Sequence, residues 1–241
     1  MGTRYFTLDA LRGFALINMV AYHFCYDLRY LYGLPLRFMD ERSGFCWQQM
    51  ICWTFILVSG ASASLSRRPA RRGMAVLGCG MLLTVVTFLI MPGQRIVFGV
   101  LHLLGCAMLL TAGFLPLLQR LPPAAGAAGS FLLFLGTRWI SSGFLFGARI
   151  FEPGMVSTDL FAPLGIYGPG FFSADYFPVV PWYFLFLTGY FLFGALRAGG
   201  AGDLLSRKIP LLSAAGRRTL PVYLVHQPIL MGICLLIFGE M

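Results

Sequence analysis

The chain has 241 residues, of which 58% are hydrophobic and only 11% charged, and its formal net charge is +9. A soluble domain is about 25% charged, so water alone cannot solvate this surface and the bilayer is the expected solvent. The basic residues, all but one of them arginine, lie between apolar runs, which points to membrane topology and to anionic lipid or ligand, and away from nucleic acid.

The first apolar run covers 7–31. Asp9 and Arg12 interrupt it, and no small-residue cleavage site follows, so it is expected to stay in the protein as helix 1. At about 100° per residue, Asp9, Arg12, His23 and Asp27 share one stripe about 60° wide. Ionisable groups in a span face a bundle interior or a water-filled cavity. Asp9 and Arg12 sit near the start of the helix, and His23 and Asp27 lie about 16–22 Å further along. His23 and Asp27 are four residues apart, within side-chain reach. The pair reads as a general base, His23, oriented by a carboxylate, or as a structural polar pair between helices. Asp9 also fits a first-turn carboxylate facing the helix dipole.

Six further apolar segments follow at 45–66, 73–92, 96–119, 124–142, 178–197 and 219–239, each near the roughly 20 residues a span requires. The fifth is the weakest, because of its Gly and Ser content. The expected fold is therefore an all-α integral membrane protein of about seven transmembrane helices, in one domain over 1–241. The loop 66–73 carries Arg67, Arg68, Arg71 and Arg72, and the loop 197–218 carries Arg197, Arg207, Lys208, Arg217 and Arg218. The positive-inside bias puts both in the cytoplasm together with the N-terminus, Arg4 and Arg120, and puts the C-terminus outside. The plasma membrane is the expected location. The outer loop between helices 5 and 6, 142–177, is rich in Gly, Pro and aromatics. A loop of that length folds over a cavity or packs at the interface.

The six cysteines show no CxxC pair and mostly lie in apolar runs, so neither a disulfide framework nor a zinc site is expected. The three histidines, His23, His102 and His226, are loosely spaced and at different depths, so a metal centre is not expected either. His102, in FGVLHLLG, and His226, in LPVYLVHQP, each read as a satisfied core histidine or as a functional one. Thr219, Tyr223 and His226 share a helix face. The four arginines of RRPARR are explained by topology alone, or by contact with the phosphates of an anionic cofactor. Arg12, on the polar stripe, reads as a ligand or ion-pair residue. Gly and Ser residues favour tight helix contacts, within one chain or between two copies in a homodimer.

These residues form a pattern. R-x-x-x-LDALRG followed by M-V-x-x-H-x-x-x-D resembles the opening of the bacterial branch of the heparan-α-glucosaminide N-acetyltransferase-like membrane family. FGVLHLLG (98–105), SADYFPVVPWYFLFLTGYFLFG (173–194) and GRRTLPVYLVHQPIL (216–230) are similar to later segments of that family, in the same order. The resemblance implies a membrane acyltransferase that takes an acetyl group from cytoplasmic acetyl-CoA and delivers it to a sugar on the other side. It implies coenzyme contacts at Arg12, Arg67, Arg68, Arg71, Arg72 and His226, and catalysis by His23, Asp27 and His102. Asp175, Tyr176 and Trp182 are then candidates for the acceptor pocket, although Trp at an interface is also an anchor. The animal branch holds its catalytic histidine in the loop after helix 1. Here that loop, GLPLRFMDERSGFC, has none, and the role passes to His23. The alternative from another class is a transporter or proton-coupled channel with His23, Asp27 and His102 as a proton relay, though no inverted repeat is evident. A non-catalytic scaffold is a third reading, and it leaves the polar stripe unexplained.

Overall fold

A computed structural model describes residues 5–239. Arg4, which opens the first motif, lies outside them. The seven apolar segments all become helical, and the chain divides into two compact units. One unit comprises residues up to Val58 together with those from Gly200 on, and the other comprises Ser59–Gly199.

In the first unit, α1 (Phe6–Tyr26) is built mainly from Leu, Ala, Met, aromatic and Arg residues, with Asp9 in its first turn, where a carboxylate favours the helix dipole. It buries Leu8, Asp9, Gly13, Leu16 and Met19 on one side. After Tyr26 it continues as a π-helical turn over Asp27–Leu31 and then stops, with Gly33 at positive φ and Pro35 two residues later. The helix α2 (Arg42–Ala63) begins in this unit. Its Ile51, with Trp47, Met50 and Phe55 beside it, packs on Leu16 and Met19, and the Trp47 indole N–H donates to Asn18 Oδ1 at 3.0 Å.

The segment 197–218, read from the sequence as a basic loop, instead folds into α8 (Gly202–Leu205) and α9 (Pro210–Gly216). The reason lies in PLLSAAG. Pro210 stands at the first turn, where its missing N–H costs nothing, and the small residues after it permit close contact. A short break follows, and then α10 (Thr219–Phe238). The Ser213 hydroxyl donates to the Phe6 carbonyl at 3.3 Å, and Thr7 Oγ1 donates to the Leu204 carbonyl at 2.6 Å. Gly216 lies against the backbone of Asp9 and Gly13. Higher up, Val222 and Tyr223 join the Leu16–Met19 cluster, Gln227 meets Asp27, and Phe238 meets Tyr32. Each step along α1 is matched by a step along α10, so these two helices run parallel.

At the far end of α1, Arg29 pairs with Asp40 at 2.7 Å and the Tyr30 hydroxyl donates to Asp40 at 2.9 Å. The Arg29 bond first, and the Tyr30 bond second, hold the Asp40 carboxyl below its ordinary pKa. A lowered folded pKa gives a contribution that is present above the unfolded value, about 3.9, and is lost as pH falls through the folded one. Amide exchange over residues 33–41 is therefore expected to accelerate only below about pH 4. In Asp40→Asn it is expected to be fast already at neutral pH and to lose that acid dependence.

The second unit contains α3 (Pro69–Ile90), α4 (Val100–Gly113), α5 (Leu115–Leu118), α6 (Pro123–Thr137) and α7 (Val179–Ala198). α3 packs on α4 and α6 packs on α7. Phe134, Leu185 and Phe186 are fully buried, and Leu118, Leu187 and Phe191 form a further cluster. The expected fourth span is broken after Gly113, where Pro116 cannot continue the helical ladder. Between α6 and α7 lie a two-stranded antiparallel hairpin, β1 (Phe144–Leu145) and β2 (Ala148–Arg149), and a run of turns. Tyr167, Phe171 and Tyr176 cluster there with ring centroids 4.8–5.4 Å apart.

Three of these helices, α3, α7 and α10, are long and apolar enough to cross a membrane. Their outward faces are strongly apolar: Leu89 is 73% exposed and Leu236 is 89% exposed, as hydrocarbon solvent allows and water does not. The other four expected spans fall short in one of the two respects. α1 and α2 have 21 and 22 residues but are not apolar enough, α4 is apolar with only 14, and α6 has 15.

Candidate active site

In the first unit the polar stripe of α1 faces α10. The His23 ring lies 5.0 Å from the His226 ring, at an angle of 60°, with Tyr22 and Tyr223 at their edges. His226 Nδ1 is 2.6 Å from the Tyr223 carbonyl oxygen. A carbonyl can only accept, so Nδ1 carries the proton, and in the neutral ring Nε2 holds the lone pair. That Nε2 is buried and has no hydrogen-bond partner. An orphaned buried nitrogen is costly, and this one sits at the single place where two histidines from opposite ends of the sequence converge. The pairing of His23 with Asp27 expected from their spacing is not formed. Asp27, 1% exposed, accepts instead from Gln227 Nε2 at 2.9 and 3.0 Å, one bond to each carboxylate oxygen. The amide reaches it from the neighbouring helix, while the His23 ring is turned toward His226. Arg12 forms an ion pair with Asp9 at 3.2 Å, one helical turn apart on the same stripe.

The remaining candidates belong to the second unit. His102 Nδ1 accepts from the Gly99 amide at 3.2 Å, and Nε2 lies 3.2 Å from Thr84 Oγ1. Thr84 spends its own proton on the Ile96 carbonyl at 2.8 Å, so Nε2–H must be the donor to Thr84. Both nitrogens are then occupied, and His102 has no lone pair to offer a substrate. In this arrangement His102 fixes the first turn of α4. Asp175 works at the same place from 75 residues away, accepting from the Val100 amide at 3.0 Å. The Tyr176 hydroxyl donates to the Ala162 carbonyl at 2.5 Å, and burial raises its pKa. Trp182 packs between Phe134 and Phe177. Asp175, Tyr176 and Trp182, expected in an acceptor pocket, thus fasten the outer segment to the helices. Arg67, Arg68, Arg71 and Arg72 are exposed around the start of α3 and have no acidic partner among the described residues.

His102→Ala leaves the Gly99 amide and Thr84 without their partner, a cost of about 1–3 kcal/mol. The expected result is a lower unfolding midpoint with unchanged transfer activity per folded molecule. A hundredfold loss of activity at an unchanged midpoint would return His102 to the catalytic set.

The family model described as heparan-alpha-glucosaminide N-acetyltransferase, catalytic, matches residues 4–228. The chain belongs to this family. Neither a curated relative nor a solved structure matches it. The match takes in all but the end of the last motif, so the chain is a member of a membrane N-acetyltransferase family with apolar, membrane-capable helices.

In this N-acetyltransferase-family chain, sequence reasoning missed one residue of the candidate site, Gln227. It stands next to His226 in the quoted VHQP, and an uncharged amide among apolar residues of a span is itself a signal, because it needs a partner there. It also left His226 apart from His23, since nothing in a local pattern brings positions about 200 residues apart together.

Proposed function

We propose that this protein is a multi-pass acetyltransferase of the plasma membrane, with residues 1–241 as one functional domain. It moves an acetyl group from cytoplasmic acetyl-CoA to a hydroxyl or amine of a glycan on the opposite side. One observation carries the chemical assignment: the buried, unpartnered Nε2 of His226, whose Nδ1–H is anchored to a carbonyl and whose ring lies 5.0 Å from that of His23. An imidazole held in that tautomer is arranged as a general base. The acceptor hydroxyl gives its proton to this nitrogen and attacks the thioester carbonyl. The new C–O bond forms as the C–S bond breaks, and the proton leaves with the coenzyme A thiol. His23, its ring beside that of His226, orients the acceptor. Asp27 acts through Gln227, locking the turn of α10 that carries His226. Arg67, Arg68, Arg71 and Arg72, with no acidic partner among the described residues, suit the coenzyme phosphates.

The parallel course of α1 and α10 supports the topology, because two parallel membrane helices at opposite ends of a chain require an odd number of crossings. Seven helical segments meet that condition, with the N-terminus inside by the positive-inside bias. The test is thermal stability of the detergent-purified protein under titration with acetyl-CoA, with an adenine nucleotide as charge control. A ligand bound only by the folded state adds about 2.7 kcal/mol at a hundredfold excess over its Kd. A saturable rise with acetyl-CoA alone supports the reading. No rise at millimolar ligand in folded protein overturns it in favour of a proton-coupled transporter.

A further inference from the structure

Beside the histidine pair, α1 and α10 enclose a groove of about 600 Å³. Leu16, Val20, Phe24, Val222 and Leu230 line it, and the only charged lining residue is Arg218. Arg218 and its neighbour Arg217 are exposed, and neither has an acidic partner among the described residues. From Arg218 to Ile233 the lining extends about 22 Å at the rise of a helix, enough to take the roughly 15 Å hydrocarbon depth of one leaflet. A pantetheine arm does not suit this channel, because its two amides need hydrogen-bond partners and the apolar lining provides none. Hydrocarbon does suit it, and the cation at its mouth selects a negative headgroup.

The geometry points to a lipid site: the groove between α1 and α10 holds one acyl chain of an anionic phospholipid whose headgroup phosphate meets Arg218. The occupant packs along the turns of α10 before and after His226, so it supports the wall on which that histidine stands. Selectivity for charge resides at Arg218, and selectivity for chain length resides in the apolar wall.

Native mass spectrometry of the detergent-purified protein tests this with phosphatidylglycerol and phosphatidylcholine of matched chains. One phosphatidylglycerol is expected to be retained about fivefold more strongly than phosphatidylcholine, the preference that a single arginine near an anionic headgroup confers. Arg218→Gln is expected to abolish the preference, while Arg37→Gln, an exposed residue of the same unit that does not line the groove, keeps it. Ala21→Phe, at an exposed position in the groove wall, is expected to expel both lipids. The wild-type protein gives an independent reading should that variant fold poorly. Sixteen-carbon phosphatidylglycerol should compete for the site, whereas eight-carbon phosphatidylglycerol and free glycerol phosphate should not. Equal retention of the two lipids by wild type, or displacement by glycerol phosphate alone, overturns the proposal.

Discussion

Replacing His226 by alanine is expected to lower acetyl transfer by about 10²- to 10⁴-fold, the usual contribution of a positioned general base. His23→Ala is expected to fall in the same range, and the double variant to fall little below the worse of the two, because residues acting as one unit are not additive. Stabilisation by acetyl-CoA should survive in all three, which separates loss of chemistry from loss of binding or of fold. The geometry supports treating the two rings as one site: they lie 5.0 Å apart, and His226 offers its free nitrogen where no other protein group satisfies it. If His226→Ala transferred acetyl at the wild-type rate while His23→Ala did not, the base would be His23, and the open nitrogen of His226 would have another use.

The second large effect concerns folding. Gly216→Val is expected to leave almost no folded protein. A Cβ at Gly216 would overlap the carbonyl oxygen of Asp9, and one at Gly13 would overlap that of Leu212. These are backbone atoms of two helices in contact, so neither can rotate away as a side chain would. Overpacking a core usually costs about 1–3 kcal/mol, and here the helices themselves must separate, which removes the contact that sets α1 beside α9. Gly232→Val, in α10 with open space around its Cβ position, makes the same change of residue type and should fold. Comparing the yield of monodisperse protein from the two variants checks this. Equal yields would mean that the close approach does not hold the unit together.

The helices were legible because each apolar run is long enough to declare itself, and the stripe of α1 followed from the turn angle alone. The Asp9–Arg12 pair, three residues apart on that stripe, formed as such spacing allows. The seven full spans were less legible. A run such as 96–119 reads as one apolar segment, and only Pro116 hints at the break that the folded chain makes after Gly113. The site was half legible. His23 and Asp27 were marked by their depth in an apolar helix, but their partners His226 and Gln227 come from the other end of the chain, and periodicity within one helix is silent about which helix will face it. His102 and Asp175 show the converse. Both stood out as polar among apolar neighbours, and the pattern did not announce that each would accept from an amide at the start of α4.

The bond between Asp27 and Gln227 joins residues 200 positions apart, and that separation sets a schedule for synthesis. At about 5–20 residues per second, roughly 10–40 s pass between the emergence of α1 and that of α10. Throughout this interval the carboxylate of Asp27 and the ring of His23 have reached the membrane without the helix that will satisfy them. The first helix must therefore wait in a polar shelter, such as the insertion machinery or a hydrated crevice, and it is released only once α10 has been made.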